Sequence, residues 1–203
     1  MDKPTAFAEL VAEIKQHHCS LRATCIQAVP GDGNIDSPVV FIGEAPGKNE
    51  DEQGRPFVGA AGKLLEEALG TIGWSREDIY ITNIVKCRPP GNRDPSPEEV
   101  EEHRPFLAKE LELIAPKLIV LLGRHSLHWF LPDLQISKVR GTAKRSGNQV
   151  YFPTYHPAAA LYNGRLRETF IGDIQKIPLL LKKLEETSVQ KAGSASSKQD
   201  PLF

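Results

Sequence analysis

Three polar side chains able to bind or transfer protons lie far apart in this sequence. Each one shortly follows a short apolar run. Glu44 and Asn83 follow two of these runs, and His156 follows a third. A carboxylate, an amide and an imidazole are groups that accept, donate or relay protons in active sites. Each alone is also typical of an ordinary loop or of a satisfied polar residue. Their shared position behind apolar runs therefore carries the prediction of a site.

The apolar runs are typical of buried parallel strands because they are continuous rather than alternating. The predicted strands are 39–42, 79–82, 118–122 and 150–154, and the predicted helices are 5–18, 60–72, a segment from 97, 124–131 and 166–186. This alternation predicts an α/β fold, a three-layer α/β/α sandwich around a four-stranded, mainly parallel sheet. Ligands bind outside the carboxyl ends of the strands in such sheets, so the three polar side chains are expected to meet there.

Composition and charge narrow the classes of function. The chain has 203 residues with 25 Lys and Arg against 26 Asp and Glu, for a net charge of −1. Contacts with nucleic acid would therefore depend on local basic patches and backbone amides, because no bulk basic field exists. No apolar run is long enough to cross a bilayer, and the start is not a secretory signal, so we expect a cytoplasmic protein.

The composition also predicts where the folded domain ends. Residues 1–187 carry the apolar periodicity of one domain, whereas residues from 188 onward are rich in Ser, Ala, Lys and Gln and are expected to be a disordered tail ending at 203. The chain has three cysteines, Cys19, Cys25 and Cys87. So few, and an odd number, argue against a disulfide framework and leave buried thiols or metal ligands as the alternatives.

Three motifs, in order and at matching spacing, resemble the family-4 uracil-DNA glycosylases, the iron–sulfur-bearing branch of the uracil-DNA glycosylase superfamily. They are GEAPG at 43–47 leading into QGRPFVG at 53–59, ITNIVKCRPPGNR at 81–93, and HPAAAL at 156–161. The resemblance runs from about residue 15 to about residue 185. It implies a monomeric enzyme that flips uracil out of DNA and hydrolyses its N-glycosidic bond to begin base excision repair.

The resemblance also implies roles for individual residues. Phe57 would stack on the extruded base, and Asn83 would pair with uracil O4 and N3–H, which cytosine cannot match. Glu44 would orient the attacking water, and His156 would stabilise the charge that develops on uracil O2. Backbone amides of Gly43, Glu44 and Ala45 would help to hold the base. Leu161 would either fill the gap left in the DNA or pack its own loop down.

Family members bind a [4Fe-4S] cluster through four cysteines, and here the match is incomplete. Cys19 and Cys87 occupy two ligand positions, but Gln16 and His103 stand at the other two. In one interpretation Cys19, Cys87 and His103 hold the cluster with a substitute from Cys25, His17 or His18, since imidazole can replace thiolate on iron. In the other interpretation the cluster is lost and the cysteines are buried thiols.

The last five residues resemble the short peptide by which bacterial replication and repair proteins bind the sliding clamp. Gln199 is followed by two variable residues and then by Leu202 and Phe203. Two apolar anchors on a flexible tether would let the enzyme search nearby DNA. The alternative is an ordinary chain terminus.

Two other functions fit the motifs less well. A uracil-DNA binder that traps its substrate covalently would resemble this chain, but such relatives carry Gln after the motif glutamate and a basic insertion with a nucleophilic histidine. Ala45 occupies the Gln position here, and no insertion follows Phe57. A catalytically inactive scaffold would not need Glu44, Asn83 and His156 together.

Overall fold

The computed structural model describes the backbone of residues 2–196 and the side chains as far as residue 187. The helices are α1 Lys3–Gln16, α2 Lys48–Gln53, α3 Ala60–Gly70, α4 Pro97–Ile114, α5 Gly123–Phe130, α6 Ile136–Val139, α7 Pro157–Ala160, α8 Gly164–Ile174 and α9 Ile177–Ser196. The strands are β1 Asp32–Gly33, β2 Val39–Gly43, β3 Tyr80–Asn83, β4 Leu118–Leu122, β5 Lys144–Ser146 and β6 Gln149–Thr154. None of the described helices is long and apolar enough to span a membrane.

The strands form one six-stranded sheet in the order β1-β3-β2-β4-β6-β5. The four predicted strands form its parallel centre, and the α/β prediction is confirmed. The predicted strand number was too low, because β1 and β5 are antiparallel edge strands that the sequence did not reveal. They contain only two and three residues, mostly polar, and so lack an apolar run.

Helices cover both faces of the sheet, which gives the three predicted layers. On one face, alternate residues of β2 such as Val40 and Ile42 pack with α1, α4 and α5. On the other face, Val39 and Phe41 pack with α3, α8 and α9. Every residue of β2 is buried because both of its faces are covered, which accounts for its continuous apolar sequence.

The segment predicted to be helical over 166–186, with a kink at Pro178, forms two helices. The first helix, α8, ends at Ile174, and α9 begins at Ile177 and continues to Ser196. The helix therefore continues past residue 187, and the division into a domain over 1–187 and a tail from 188 stays a prediction. The clamp-like residues Gln199, Leu202 and Phe203 lie outside the described residues.

Candidate active site

A pocket of about 300 Å³ opens at the carboxyl ends of the parallel strands, and we call it the strand-end pocket. It is lined by Glu44, Ala45, Pro46, Gly47, Glu50, Phe57, Ala61, Asn83, Pro89, Asn92, Arg93, Asp94, His156 and Ala158. The three polar side chains singled out in the sequence therefore share one crevice. They meet because β2 and β3 run parallel with Gly43 opposite Asn83, and β6 delivers His156 to the same edge.

Gly43 leaves room for two of the side chains that line the pocket. A Cβ atom at this position would lie 2.4 Å from Asn83 Oδ1 and 2.6 Å from Phe57 Cζ. No side chain fits between these groups without moving one of them. Gly123, which follows β4 and begins α5, leaves room for His156 in the same way: its φ is +93°, and a Cβ would lie 2.9 Å from His156 Cβ.

Asn83 is 2% exposed, and its Oδ1 atom has no hydrogen-bond partner among the described residues. A buried acceptor without a partner is costly unless a ligand supplies a donor. The backbone at this position, in contrast, is firmly held: Lys86 Nζ donates to the Asn83 carbonyl oxygen over 2.9 Å. The Asn83 backbone is therefore held in place, while the Oδ1 atom of its side chain is available to a ligand.

Lys86 belongs to a fully buried ion pair behind Asn83. Its Nζ lies 2.6 Å from Glu110 Oε2 and donates to Thr82 Oγ1 over 2.7 Å. Glu110 also accepts hydrogen bonds from Thr82 Oγ1, Tyr80 OH and the backbone N–H of Gly31. Burial lowers the pKa of Lys86, and Glu110 opposes that shift. This network fixes β3 to α4 directly under the pocket.

Phe57 is held in a loop with a left-handed backbone, at φ 54°. Two charged side chains fix that loop. Arg76 Nη1 donates to the Phe57 carbonyl oxygen over 2.8 Å. Glu50 Oε1 accepts from the backbone N–H groups of Val58 and Gly59 over 2.9 and 2.8 Å. The Phe57 ring, 5% exposed, lies 5.7 Å from the His156 ring and forms one side of the pocket.

His156 is oriented by its own loop. Its Nδ1 atom accepts a hydrogen bond from the backbone N–H of Ala158 over 3.1 Å, so the neutral ring carries its proton on Nε2. Burial lowers the pKa of His156 to about 4; Glu50 raises it slightly, and His125 lowers it further. The side chain is therefore a neutral hydrogen-bond donor at physiological pH.

Glu44 is partly buried at the rim of the pocket. Burial raises the pKa of its carboxyl to about 7, and Asp94 adds to this rise whereas Arg124 opposes it. His125 Nε2 lies 3.8 Å from Glu44 Oε1 and 3.2 Å from Asp94 Oδ2. A carboxyl group with a pKa near neutral pH can both accept and release a proton there.

Sequence reasoning missed five residues that build this site: Glu50, Arg76, Lys86, Asp94 and Glu110. Arg76 and Glu110 act across separations of 19 or more residues, and no local pattern marks them. Glu50 and Lys86 lie inside or next to the conspicuous motifs, so their position was the available signal. The buried lysine could not be recognised, because a lysine in a loop is normally solvated.

The loop after His156 places two neighbouring side chains differently. Leu161 is half-buried and packs against the core on the α3 side of the sheet. Tyr162 is 95% exposed. Leu161 therefore packs against the core in the free protein, and its role as a wedge in DNA is not tested by this contact.

A second cluster of ligating side chains lies near α1, and we call it the cysteine–histidine group. The Sγ atoms of Cys19 and Cys87 are 3.2 Å apart, and a nitrogen of His103 lies within 4.8 Å of both. All three residues are buried, and neither ring nitrogen of His103 has a hydrogen-bond partner among the described residues. The neighbouring Cys19 thiol and burial raise the pKa of Cys87, and Cys25 adds to this rise. These residues could hold a metal ion.

His17 adds to the unsatisfied polar surface around the cysteine–histidine group. Its ring lies 5.6 Å from that of His103, and its Nε2 atom is buried without a partner among the described residues. Gln16, the last residue of α1, immediately precedes His17.

Comparison with known proteins points to one family. The profile of the Uracil DNA glycosylase superfamily matches residues 30–176. A Type-4 uracil-DNA glycosylase of Archaeoglobus fulgidus is 49% identical over 189 residues, which cover 88% of this chain and 95% of the relative. Proteins of the same name from Saccharolobus solfataricus and Sulfurisphaera tokodaii are 46% and 45% identical over 187 residues each, or 87% of this chain and 86% and 84% of those proteins.

Proposed function

The chain belongs to the uracil-DNA glycosylase superfamily, and we propose that it hydrolyses the N-glycosidic bond of uracil in DNA and thereby begins base excision repair. The observation that carries this proposal is the convergence of Glu44, Asn83 and His156 on one pocket with Phe57 on its side. The pocket lies at the end of the sheet where an extruded nucleotide can enter.

Recognition of uracil is assigned to Asn83 and Phe57. The unpartnered Oδ1 atom of Asn83 would accept from uracil N3–H, and the amide nitrogen would donate to O4. Cytosine offers a bare N3 and an amino group instead, so two buried groups would be left unpaired. The ring of Phe57 would stack on the base and add affinity without selectivity. Backbone amides in 43–45 would support the other edge of the base.

Hydrolysis is assigned to Glu44 and His156. When the N-glycosidic bond breaks, its electron pair leaves with uracil, and positive charge develops on the sugar. The Nε2–H of neutral His156 would donate to uracil O2 as that oxygen becomes negative. The Glu44 carboxylate would hold a water at the sugar and accept its proton as the C1′–O bond forms. The raised pKa of Glu44 makes it a stronger base than an ordinary carboxylate.

A [4Fe-4S] cluster is assigned to Cys19, Cys87, His103 and Cys25. The donor set fits iron, because two thiols and an imidazole are buried together and both nitrogens of His103 lack a partner among the described residues. The cluster would brace α1 and α4 and would take no part in bond cleavage. Iron and acid-labile sulfide analysis of anaerobically purified protein, with its visible spectrum, tests this assignment. Absence of both iron and sulfide would overturn it.

One assay tests the proposed activity against the two alternatives. An oligonucleotide with a single uracil is incubated with the protein, treated with alkali and separated on a denaturing gel. Turnover gives cleaved strands, a covalent trap gives a band shifted by the protein, and an inactive scaffold gives neither. The proposal predicts cleaved strands from uracil and none from a matched cytosine control. Either of the other two outcomes would overturn it.

Docking on the sliding clamp through Gln199, Leu202 and Phe203 stays a prediction, as do a monomeric state and a cytoplasmic location. Deletion of residues 199–203 is expected to abolish binding to the clamp and to leave uracil release from short oligonucleotides unchanged. Unchanged clamp binding after the deletion would end this hypothesis.

A further inference from the structure

We propose that Tyr162, rather than Leu161, enters the DNA base stack and fills the gap left when uridine is extruded. This inference rests on the proposed glycosylase function and names the residue that opens the duplex. Tyr162 is 95% exposed, the highest value among the large hydrophobic side chains described. A side chain so exposed contributes nothing to packing, so its aromatic ring is available to another molecule.

Leu161 has a different environment. It is half-buried and packs against the core cluster that contains Ala160 and Phe170, both 0% exposed. Insertion of Leu161 into DNA would require it to leave these contacts. Tyr162 would leave none, so the adjacent ring can enter a base stack without disturbing the loop.

The turn that presents Tyr162 is fixed on both sides. Before it, the short helix α7 packs against α3 and α8. After it, Asn163 caps α8, with its Oδ1 accepting from the backbone N–H of Leu166 over 3.1 Å. The Asn163 N–H also bonds the Ala160 carbonyl oxygen across the turn, over 3.5 Å. A rigid turn loses little conformational freedom on binding, which favours an inserted residue.

The position of Tyr162 on the chain matches the geometry of base flipping. His156, which lines the strand-end pocket, precedes α7, and Tyr162 follows the same four-residue helix. One short, rigid element therefore joins the group that would meet the extruded base to the ring that would replace it. Proteins that open duplex DNA insert apolar side chains between base steps, and an aromatic ring also stacks on the exposed neighbouring bases.

Charge around the turn suits a nucleic acid. Arg165 is exposed on the first turn of α8, and no ion pair of its side chain is found in the part of the chain that the structure describes. Its guanidinium is free to contact a phosphate beside the inserted ring. Because the chain as a whole carries a charge of −1, such local basic positions must direct DNA to the pocket.

The test compares Tyr162→Ala with Tyr162→Phe, Leu161→Ala and the matched control Leu179→Ala, which changes a 60% exposed leucine on α9. Each full-length protein is given uracil in a duplex and in a single strand of the same sequence. Tyr162→Ala is expected to lower kcat/KM on the duplex about tenfold and to change single-strand activity less than about threefold, because only the duplex needs its gap filled. Tyr162→Phe and Leu179→Ala are expected to match the parent protein.

A second readout separates this inference from the proposed function. The fluorescence of 2-aminopurine placed beside a non-hydrolysable uridine analogue reports opening of the stack without any cleavage. We expect the parent protein to raise this fluorescence and Tyr162→Ala to raise it less. The inference is overturned if Tyr162→Ala has the same kcat/KM on the duplex as the parent, above all if a folded Leu161→Ala variant loses duplex activity. It is also overturned if Tyr162→Ala loses equal activity on the duplex and on the single strand. Failure of the parent to release uracil from either substrate would instead overturn the proposed function.

Discussion

The strand-end pocket and the cysteine–histidine group are both built from segments far apart in sequence. They differ in how many of their polar atoms have hydrogen-bond partners within the described part of the protein. In the pocket, each functional side chain or its backbone is held by other residues, and one recognition atom is left free. Within the described part of the chain, Asn83 Oδ1 and His156 Nε2–H have no hydrogen-bond partner, while Phe57 is held by Glu50 and Arg76. His103, in contrast, is fully buried, with neither ring nitrogen partnered among the described residues.

This difference shows what each region needs from a ligand. The pocket is preorganised, so its geometry should persist in the free protein and meet uracil without rearrangement. The cysteine–histidine group contains buried polar atoms that the chain itself leaves unsatisfied, so its stability should depend on what binds there. Five predictions, in decreasing order of effect, test this contrast.

The largest effect on activity is expected from the loss of the Asn83 side chain, whose amide would pair with uracil. Asn83→Ala removes both polar groups that would pair with uracil, and we expect kcat/KM to fall about 10⁴-fold, or about 5 kcal/mol, with little change in stability. Single-turnover kinetics and thermal melting measure the two quantities. A loss below tenfold in a folded protein would mean that Asn83 does not read the base.

The second effect is expected at the buried ion pair between Lys86 and Glu110, which lies behind Asn83. Lys86→Met leaves Glu110 buried without its cation, so the free energy of unfolding should fall by about 4 kcal/mol. Denaturant titration measures the loss. The matched control is Lys109→Met, which breaks an exposed ion pair with Glu13 and should cost less than about 1 kcal/mol. Equal losses in the two variants would contradict the assigned role of the buried pair.

The third effect is the pH dependence of the pocket. Because the pKa of Glu44 is about 7 and the carboxylate is the active form, kcat/KM should fall about tenfold per pH unit below 7 and level off above it. Glu44→Gln should have low activity without that slope. No further loss from protonation of His156 is expected until the pH approaches its pKa of about 4.

The raised pKa of Glu44 also makes stability depend on pH, and stability should fall over the pH range in which activity rises. The folded-state pKa of Glu44 lies above the ordinary value of 4.5, so its contribution to stability is fully present below about pH 4.5 and is lost as the pH rises through about 7. Glu44→Gln should therefore raise Tm more at pH 8 than at pH 5. An equal change in Tm at both pH values would contradict the raised pKa.

The smallest effect on activity is expected at the cysteine–histidine group. His103→Leu should remove iron and lower the Tm of the protein as purified, because a ligand is lost, yet change kcat less than about threefold. After chelation, the same substitution should be neutral or stabilising, since it replaces an unsatisfied buried imidazole with an apolar side chain. A variant as stable as the parent before chelation would show that nothing binds there.

The sequence indicated the central sheet and the pocket-forming motifs because these signals are local. Continuous apolar runs mark strands covered on both faces, and polar residues directly after them mark one edge of the sheet. The edge strands β1 and β5 could not be predicted, because two or three mostly polar residues carry no periodic signal. The extent of α9 was also missed, since polar residues that form a helix resemble those of a flexible tail.

By itself, the sequence determined which chemical groups reach the strand ends: Glu44, Asn83 and His156 are attached to elements whose type follows from neighbouring residues. Only the tertiary structure decided how those groups are tuned. The partners that fix Asn83 and Phe57, the burial that moves the pKa of Glu44 and His156 in opposite directions, and the exposure of Tyr162 beside a packed Leu161 depend on distant contacts. Such contacts leave no periodic trace in the chain, because they join residues whose separation in sequence is arbitrary.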